Sequence, residues 1–432
     1  MKYEETRIQN NQETAKTLFF PHFFYLCYDS FRQIIDSLNC LGMEGYMVHM
    51  HCKSFDESKQ FPTERLKKDK CPFKQLPFFS IGQKGTGLFV KSMRFFEFLI
   101  NYYRIKRYLQ DERPDSVVVA SDLGGMYIRF ILDTCERMHI PVLIIVPVDF
   151  GSVRSGDNAN TETRVPKLAQ FILHFLGMER LILFEGRVIG SYSKSGKVLV
   201  ASKAMQNQLV KDGICRERVL VTGIPRHDRL YELLKEPIGA IKSEICCELG
   251  LDTSCKIVVY FTQLVQHLYG ADYMDSINKL LVNAFQDLPA ECRIVVKLHP
   301  REDATYFKIF DSDRYQVVRD IDVDRLLRAA DLVISHFSST LSDAALLGTP
   351  LLNINILNDQ HRSIFASSQD LLQIKSETEF AKIHDILYDI KFRDRAKALL
   401  KSWAKDNVAV VDGRSSERIA RIIKQSIIHK DG

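Results

Sequence analysis

Residues 329–352 read AADLVISHFSSTLSDAALLGTPLL. The run DLVISH at 331–336 is an apolar strand, Phe337-Ser338-Ser339 is a short loop, a helix follows over 340–347, and Gly348-Thr349-Pro350 turns the chain into a second strand, PLLNINI at 350–356. A strand, a helix and a strand joined this tightly form a right-handed crossover between parallel strands. Both strands are apolar along their length, as a sheet covered on two faces demands.

The same unit recurs on either side. KIVVYFTQ (256–263), a helix over 271–287, RIVVKLHP (293–300), YQVV (315–318) and a short helix over 324–330 precede it as one array. Further upstream lie TLFF (17–20), a helix through Leu41, YMVHMH (46–51), SVVVASD (116–122), a helix through His139, PVLIIV (141–146), KVLVAS (197–202), a helix over 203–212 and RVLVTGIP (218–225). Residues 52–87 read as a long polar loop or lid, and 231–254 as a charged helical hinge. The expectation is an α/β chain of two Rossmann-like, doubly wound parallel-sheet domains facing a cleft, residues 1–235 and 236–403.

Composition bounds the function. At 432 residues, 46% hydrophobic and 26% charged, the chain has material for two or three packed domains and little for long disorder. A net charge of +5 is far below the basic field of a dedicated nucleic-acid binder, so no nucleic-acid partner is expected. Ten cysteines show no CxxC spacing and no Cys/His ladder, which argues against zinc. The opening MKYEETRIQNNQETAK lacks the apolar core of a secretory signal, and no run of about 18 apolar residues occurs, so a cytoplasmic protein is expected.

VTGIP at 221–225 with Asp228, KLHPRE at 297–302, the run 329–352 and DGRSSERI at 412–419 together resemble the GT-B glycosyltransferase superfamily. More narrowly, they resemble the branch holding UDP-N-acetylglucosamine 2-epimerases, CDP-glycerol glycerophosphotransferases and bacterial polysialyl and Kdo transferases, over roughly residues 113–420. The resemblance implies a GT-B fold whose last helix, within 404–432, packs back on the first domain. It also implies a metal-independent glycosyltransferase with no cofactor beyond its substrate. The donor would be a CMP- or UDP-linked nucleotide-sugar, and the acceptor a bacterial surface glycan such as capsule or lipopolysaccharide, or a lipid-linked precursor. A CDP-polyol phosphotransferase, a 2-epimerase and an inactive scaffold are the alternatives. The loop SHFSSTLSD departs from the Asp-Ser-Gly-Gly turn usual in epimerases.

His299 and Arg301 follow an apolar strand, at the edge where open α/β sheets bind ligands, and both can donate to a nucleotide phosphate. Lys297 adds charge beside them. Ser338, Ser339 and Thr340 open a helix whose unpaired N–H groups and dipole suit a phosphate, although Ser339 or Thr340 could simply cap it, Thr340 and Asp343 having capping-box spacing. Gln263 and Gly223 end strands at equivalent edges, between turn chemistry and ligand contact. The general base is expected from the first domain: Asp122 first, then Asp149 and His22, although a strand-end aspartate often only caps a helix. The DxD-like triplets at 311–313, 320–322 and 322–324 read as capping and solvent-facing acids rather than a metal site. The helix 91–109 interleaves Lys91, Arg94, Arg104, Lys106 and Arg107 with aromatics, which suits either a peripheral membrane contact at the inner face of the cell membrane or aromatic packing on the first sheet.

Overall fold

The computed structural model describes residues 14–21, 24–52, 61–79, 88–123, 126–146, 174–175, 180–181, 188–359, 365, 367–408 and 411–428. Among them, seven strands form the first sheet: β1 (Lys16–Phe20), β2 (Glu44–Cys52), β3 (Phe73–Phe78), β4 (Ser116–Val119), β5 (Val142–Ile145), β6 (Lys197–Val200) and β7 (Val219–Val221). Six form the second: β8 (Lys256–Phe261), β9 (Cys292–Lys297), β10 (Tyr315–Val318), β11 (Leu332–Ser335), β12 (Leu351–Ile354) and β13 (Gln373–Ile374). The orders are β3-β2-β1-β4-β5-β6-β7 and β10-β9-β8-β11-β12-β13, with every pairing parallel. Each order reverses once, between β1 and β4 and between β8 and β11. Those two reversals mark where an α/β sheet opens a crevice at its carboxyl edge.

Every residue of β4, β5, β11 and β12 is buried, because helices cover both faces of each sheet. The stretch expected as a loop or lid at 52–87 instead contains a helix, Phe61–Lys68, and the edge strand β3 beside β2. Only Leu76 of β3 is buried, so its sequence carries almost no apolar signal. Asn101, fully buried, holds this edge: its side chain accepts from the Phe79 N–H and donates to the Phe79 carbonyl, both at 2.8 Å.

The hinge expected at 231–254 is packed core. Helices Pro225–Lys235 and Ile238–Leu249 bury Leu230, Leu233, Ile241, Ile245, Cys246 and Leu249 in the same cluster as β8 and β11. The second lobe's core therefore begins inside the segment assigned to the first domain. At the other end, helix Ile390–Asn407 places Ala396, Leu400 and Trp403 in the second core. Helix Ser415–Ile428 then lays Ile419, Ala420, Ile423 and Ile427 against Phe31, Ile34, Ile35 and Leu38 of helix Phe24–Cys40 in the first lobe. Each buried isoleucine contributes on the order of 2 kcal/mol. The last helix thus crosses back as expected.

Candidate functional site at the carboxyl edge of the second sheet

β9, β8 and β11 are consecutive in the sheet, so the loops that follow them meet at the reversal. β8 runs into Thr262 and Gln263, β9 into Leu298 and His299, and β11 into His336, Phe337 and Ser338. The loops carrying His299 and Ser338 stand two strand spacings apart, about 10 Å. A diphosphate with hydrogen bonds at each end spans that gap.

His299 is held from three sides. Its backbone N–H donates to Thr262 Oγ1 at 2.8 Å, and its Nδ1 accepts the Arg301 N–H at 3.2 Å. Its carbonyl accepts from the Glu302 N–H at 2.9 Å. With Nδ1 accepting, the neutral ring carries its proton on Nε2, which makes that atom a donor. Burial first, then the positive charges of Arg301, Lys297 and Arg319, hold the imidazole pKa below its ordinary value. The ring is therefore neutral at pH 7, with three cations close enough to act on it.

Arg319 is the residue that sequence reasoning missed. Its guanidinium donates to the carbonyls of His299 at 3.2 Å, Pro300 at 2.9 Å and Glu302 at 2.8 Å, locking the loop after β9. It directly follows YQVV, and the strand-end rule that selected His299 would have selected it too. Glu302, 4% exposed, accepts from Gln266 Nε2 at 2.5 Å and so ties this loop to the one after β8. In that same loop Tyr269 donates to Asp359 at 2.7 Å, and its ring meets Phe337 at 6.2 Å between centroids. Gln266 and Tyr269 thus brace the edges around both candidate phosphate contacts. Lys297 is buried, with Nζ on the Leu298 carbonyl at 2.9 Å; desolvation lowers its pKa, and its part here is charge beneath the His299 loop. Gln263 is half-buried at the end of β8.

The helix Ser339–Leu347 begins at the reversal with Ser338 as its N-cap: Ser338 Oγ accepts the Thr340 N–H at 3.2 Å and donates to Thr340 Oγ1 at 2.8 Å. Capping therefore falls to Ser338, not to Ser339 or Thr340. Ser339 is exposed in the first turn, where N–H groups lack helical partners. Asp343 is no capping-box partner either. It is buried and meets Arg226 at 2.6 Å, and the helix stops at Gly348 in the left-handed region, φ +71°.

Two expectations are corrected by their surroundings. Asp122 is fully buried; its carboxylate accepts from the N–H groups of Gly190 at 2.8 Å, Tyr192 at 2.8 Å and Ser193 at 3.2 Å. A fully buried carboxylate that accepts from three backbone donors organises the loop 188–196 and has no exposed oxygen to meet an acceptor hydroxyl, so it does not fit the base. Gly223 does not fit a nucleotide contact: its φ is +79°, and an added Cβ would stand 2.5 Å from Ser415 Oγ, so it is glycine to let the last helix approach. Among the aspartates of 320–324, Asp322 and Asp324 are engaged, Asp322 as the cap its position suggested. Asp322 caps helix Val323–Ala329 and pairs with Arg229 at 2.5 Å, and Asp324 meets Arg229 at 3.2 Å. Among the described residues no group of three or more His, Cys, Asp or Glu side chains is arranged to hold a metal. Asp149 and His22 lie outside the described residues.

Residues 186–425, more than half of the chain, match the model of the family described as CDP-glycerol:poly(glycerophosphate) glycerophosphotransferase. Over 163 residues the chain is 29% identical to the teichoic acid glycerol-phosphate primase of Bacillus spizizenii, a match covering 37% of this chain and 40% of that protein. The chain thus spans under half the length of that relative. In fold it is similar to UDP-GlcNAc 2-epimerase from Neisseria meningitidis bound to UDP-GlcNAc, with TM-score 0.62, 13% identity and coverage of 95% and 100% of the two chains. It is likewise similar to Acinetobacter baumannii MurG, with TM-score 0.53, 13% identity and 95% and 99% coverage. The two-lobed GT-B architecture is thereby shown.

Proposed function

Because the chain belongs to the CDP-glycerol:poly(glycerophosphate) glycerophosphotransferase family, we propose that it transfers a polyol phosphate from a CDP-linked donor to a hydroxyl of a growing cell-surface polymer. The observation carrying this reading is the pairing at one sheet edge of a neutral, backbone-braced His299 with a Ser338-capped helix N-terminus. The acceptor oxygen forms a bond to the phosphorus that bears the polyol. The bond from that phosphorus to the bridging oxygen breaks, and CMP departs with the electron pair. His299 Nε2–H, Arg301 and the first-turn N–H groups beside Ser339 would receive the charge that grows on the departing phosphate. Arg319, Thr262 and Glu302 would keep the imidazole aimed there. The acceptor's proton passes to a base on the opposite lobe, for which His22 and Asp149 stand as candidates. Relative to the sequence-based expectation of sugar transfer, family membership favours a polyol phosphate as the transferred group.

The test is product analysis. The chain is incubated with CDP-glycerol or with CMP- and UDP-linked sugars, each with and without a polyol-phosphate acceptor. Acceptor-dependent release of CMP from CDP-glycerol is expected. Acceptor-dependent turnover of a nucleotide-sugar alone would replace this reading with sugar transfer, and acceptor-free interconversion of UDP-GlcNAc would replace it with epimerisation.

A further inference from the structure

Gln266 and Glu302 meet at the reversal edge, one from the loop after β8 and the other from the loop after β9. Gln266 Nε2 donates to one carboxyl oxygen of Glu302, Oε1, at 2.5 Å. The second atom of each group, Gln266 Oε1 and Glu302 Oε2, is buried and has no hydrogen-bond partner among the described residues. No ion pair among those residues involves the Glu302 side chain; Arg319 donates to its backbone carbonyl instead. Two buried acceptors left over on groups already bonded to each other are costly. An ionised carboxylate and an amide carbonyl can only accept, so an ionised Glu302 turns acceptor toward acceptor. A carboxylic acid carries one acceptor and one donor, the complement of an amide. One proton on Glu302 Oε2 answers both orphaned atoms at once. Nε2–H donates to Oε1, Oε2–H donates to Gln266 Oε1, and the two hydrogen bonds close a ring.

The surroundings favour that proton. Burial is the largest influence and raises the Glu302 pKa above its ordinary value of 4.5. Gln266 N–H, His267 of the same loop and Arg319 after β10 pull the other way, and Asp303 beside it adds to the rise. From β8 comes the Tyr260 phenol, which burial keeps neutral.

We propose that Glu302 takes up a proton in the folded chain and pairs with Gln266 through two hydrogen bonds, and that this clasp positions His299. The Glu302 N–H donates to the His299 carbonyl at 2.9 Å, so the clasp anchors the same turn that carries the imidazole. Thr262 and Arg319 hold that turn from its other sides. Glu302 is thus a positioning residue, acting on the departing phosphate only through His299. Its effect on turnover rests on the proposed function, whereas the proton on Glu302 requires no substrate.

Carbon-13 titration of the full chain labelled at glutamate Cδ reads the proton directly. One resonance, missing from Glu302→Gln, is expected to titrate at least about one pH unit above the exposed glutamates. Unfolding gives a second reading. An acid whose pKa is raised in the folded chain contributes its full stability below the unfolded value and loses it as pH rises to the folded one. Glutamine presents an N–H where the acid presents its O–H, so Glu302→Gln keeps both hydrogen bonds at every pH. The parent's unfolding constant is therefore expected to grow relative to that of Glu302→Gln by up to about tenfold per pH unit across that window. With CDP-glycerol, parent turnover is expected to fall as Glu302 ionises, and Glu302→Gln to hold its turnover to higher pH. Glu302→Ala and Gln266→Ala are each expected to lose turnover on the order of tenfold, with little further loss when combined. Glutamates that titrate without an outlier, equal pH dependence of unfolding in parent and Glu302→Gln, or alanine losses that multiply in full overturn the proposal. Should Glu302→Gln fail to fold, the parent's titration decides by itself. A parent that releases no CMP from CDP-glycerol counts against the proposed function, while titration and unfolding still judge the clasp.

Discussion

Two histidines, each within two residues of the end of its strand, have opposite fates in the second lobe. His299 is half-buried and bonded through Nδ1, leaving Nε2–H to act. His299→Ala is expected to lower turnover on the order of a hundredfold or more, the scale for loss of one preorganised donor, while the thermal midpoint moves little; CMP release and calorimetry on the same sample measure both. His336 is 1% exposed among Tyr260, Tyr273 and Phe337, and among the described residues both of its ring nitrogens lack hydrogen-bond partners. Burial pushes its pKa down to about 3. The folded chain therefore holds this ring neutral while the unfolded chain protonates it below the ordinary value of about 6.5, so acid favours unfolding. Stability tied to His336 is present above that value and is lost as pH falls toward 3, at roughly 1.4 kcal/mol per pH unit at most. His336→Phe removes the orphaned nitrogens and is expected to flatten the acid limb of a plot of unfolding free energy against pH. Parallel acid limbs for parent and variant would assign that limb to another group.

At the scale of elements, the segments that look like a signature in the sequence divide into a site and a clasp. KLHPRE and the serine loop build the sheet edge. VTGIP with Asp228, and DGRSSERI, bind each other across 187 residues of chain. Asp228 accepts the N–H groups of Ser415 and Ser416 at 2.8 Å each and the Ser416 hydroxyl at 2.7 Å, capping helix Ser415–Ile428 from outside it. Arg418 donates to the Thr222 carbonyl at 3.0 Å and to both oxygens of Asp412 at 2.8 and 2.6 Å. Asp228→Ala removes the cap and the charge facing the helix dipole and is expected to cost about 1–2 kcal/mol, read in urea unfolding, with faster amide exchange confined to the first turn of the last helix. Gly223→Ala meets both a left-handed backbone and a 2.5 Å contact, and is expected to destabilise by more than about 1 kcal/mol. An unchanged denaturation midpoint in that variant would mean that the clasp can shift to admit a methyl group.

For the molecule as a whole, the two lobes are joined by helix Pro225–Lys235, which leaves the first sheet and is pinned to the second lobe. Arg226 meets Asp343 at 2.6 Å and Asp324 at 3.5 Å; His227 Nε2 lies 3.7 Å from Asp343. Asp343 belongs to the same helix that Ser338 caps, so the lobe junction and the candidate phosphate site share one rigid element. Asp343→Asn is expected to cost about 1–3 kcal/mol, less than for a fully buried pair because the Arg226 side chain is 39% exposed. Arg226→Gln added to it is expected to recover part of that loss in a double-mutant cycle, and strict additivity would show that the two side chains act independently. The alternation of apolar strands with helices, the reversal edges, His299 and the serine loop could all be read along the chain, because each depends on periodicity or on neighbours within a few residues. Helix 415–428 could be placed on the first lobe only through resemblance. What the tertiary structure alone decided is which polar groups meet: Asp122 with a loop some 70 residues on, Gly223 with Ser415, Arg319 with the carbonyls around His299, Asp343 with Arg226. No local pattern encodes such pairings, since a carboxylate at a strand end has the same sequence signature whether folding leaves it facing a crevice or surrounds it with backbone N–H groups.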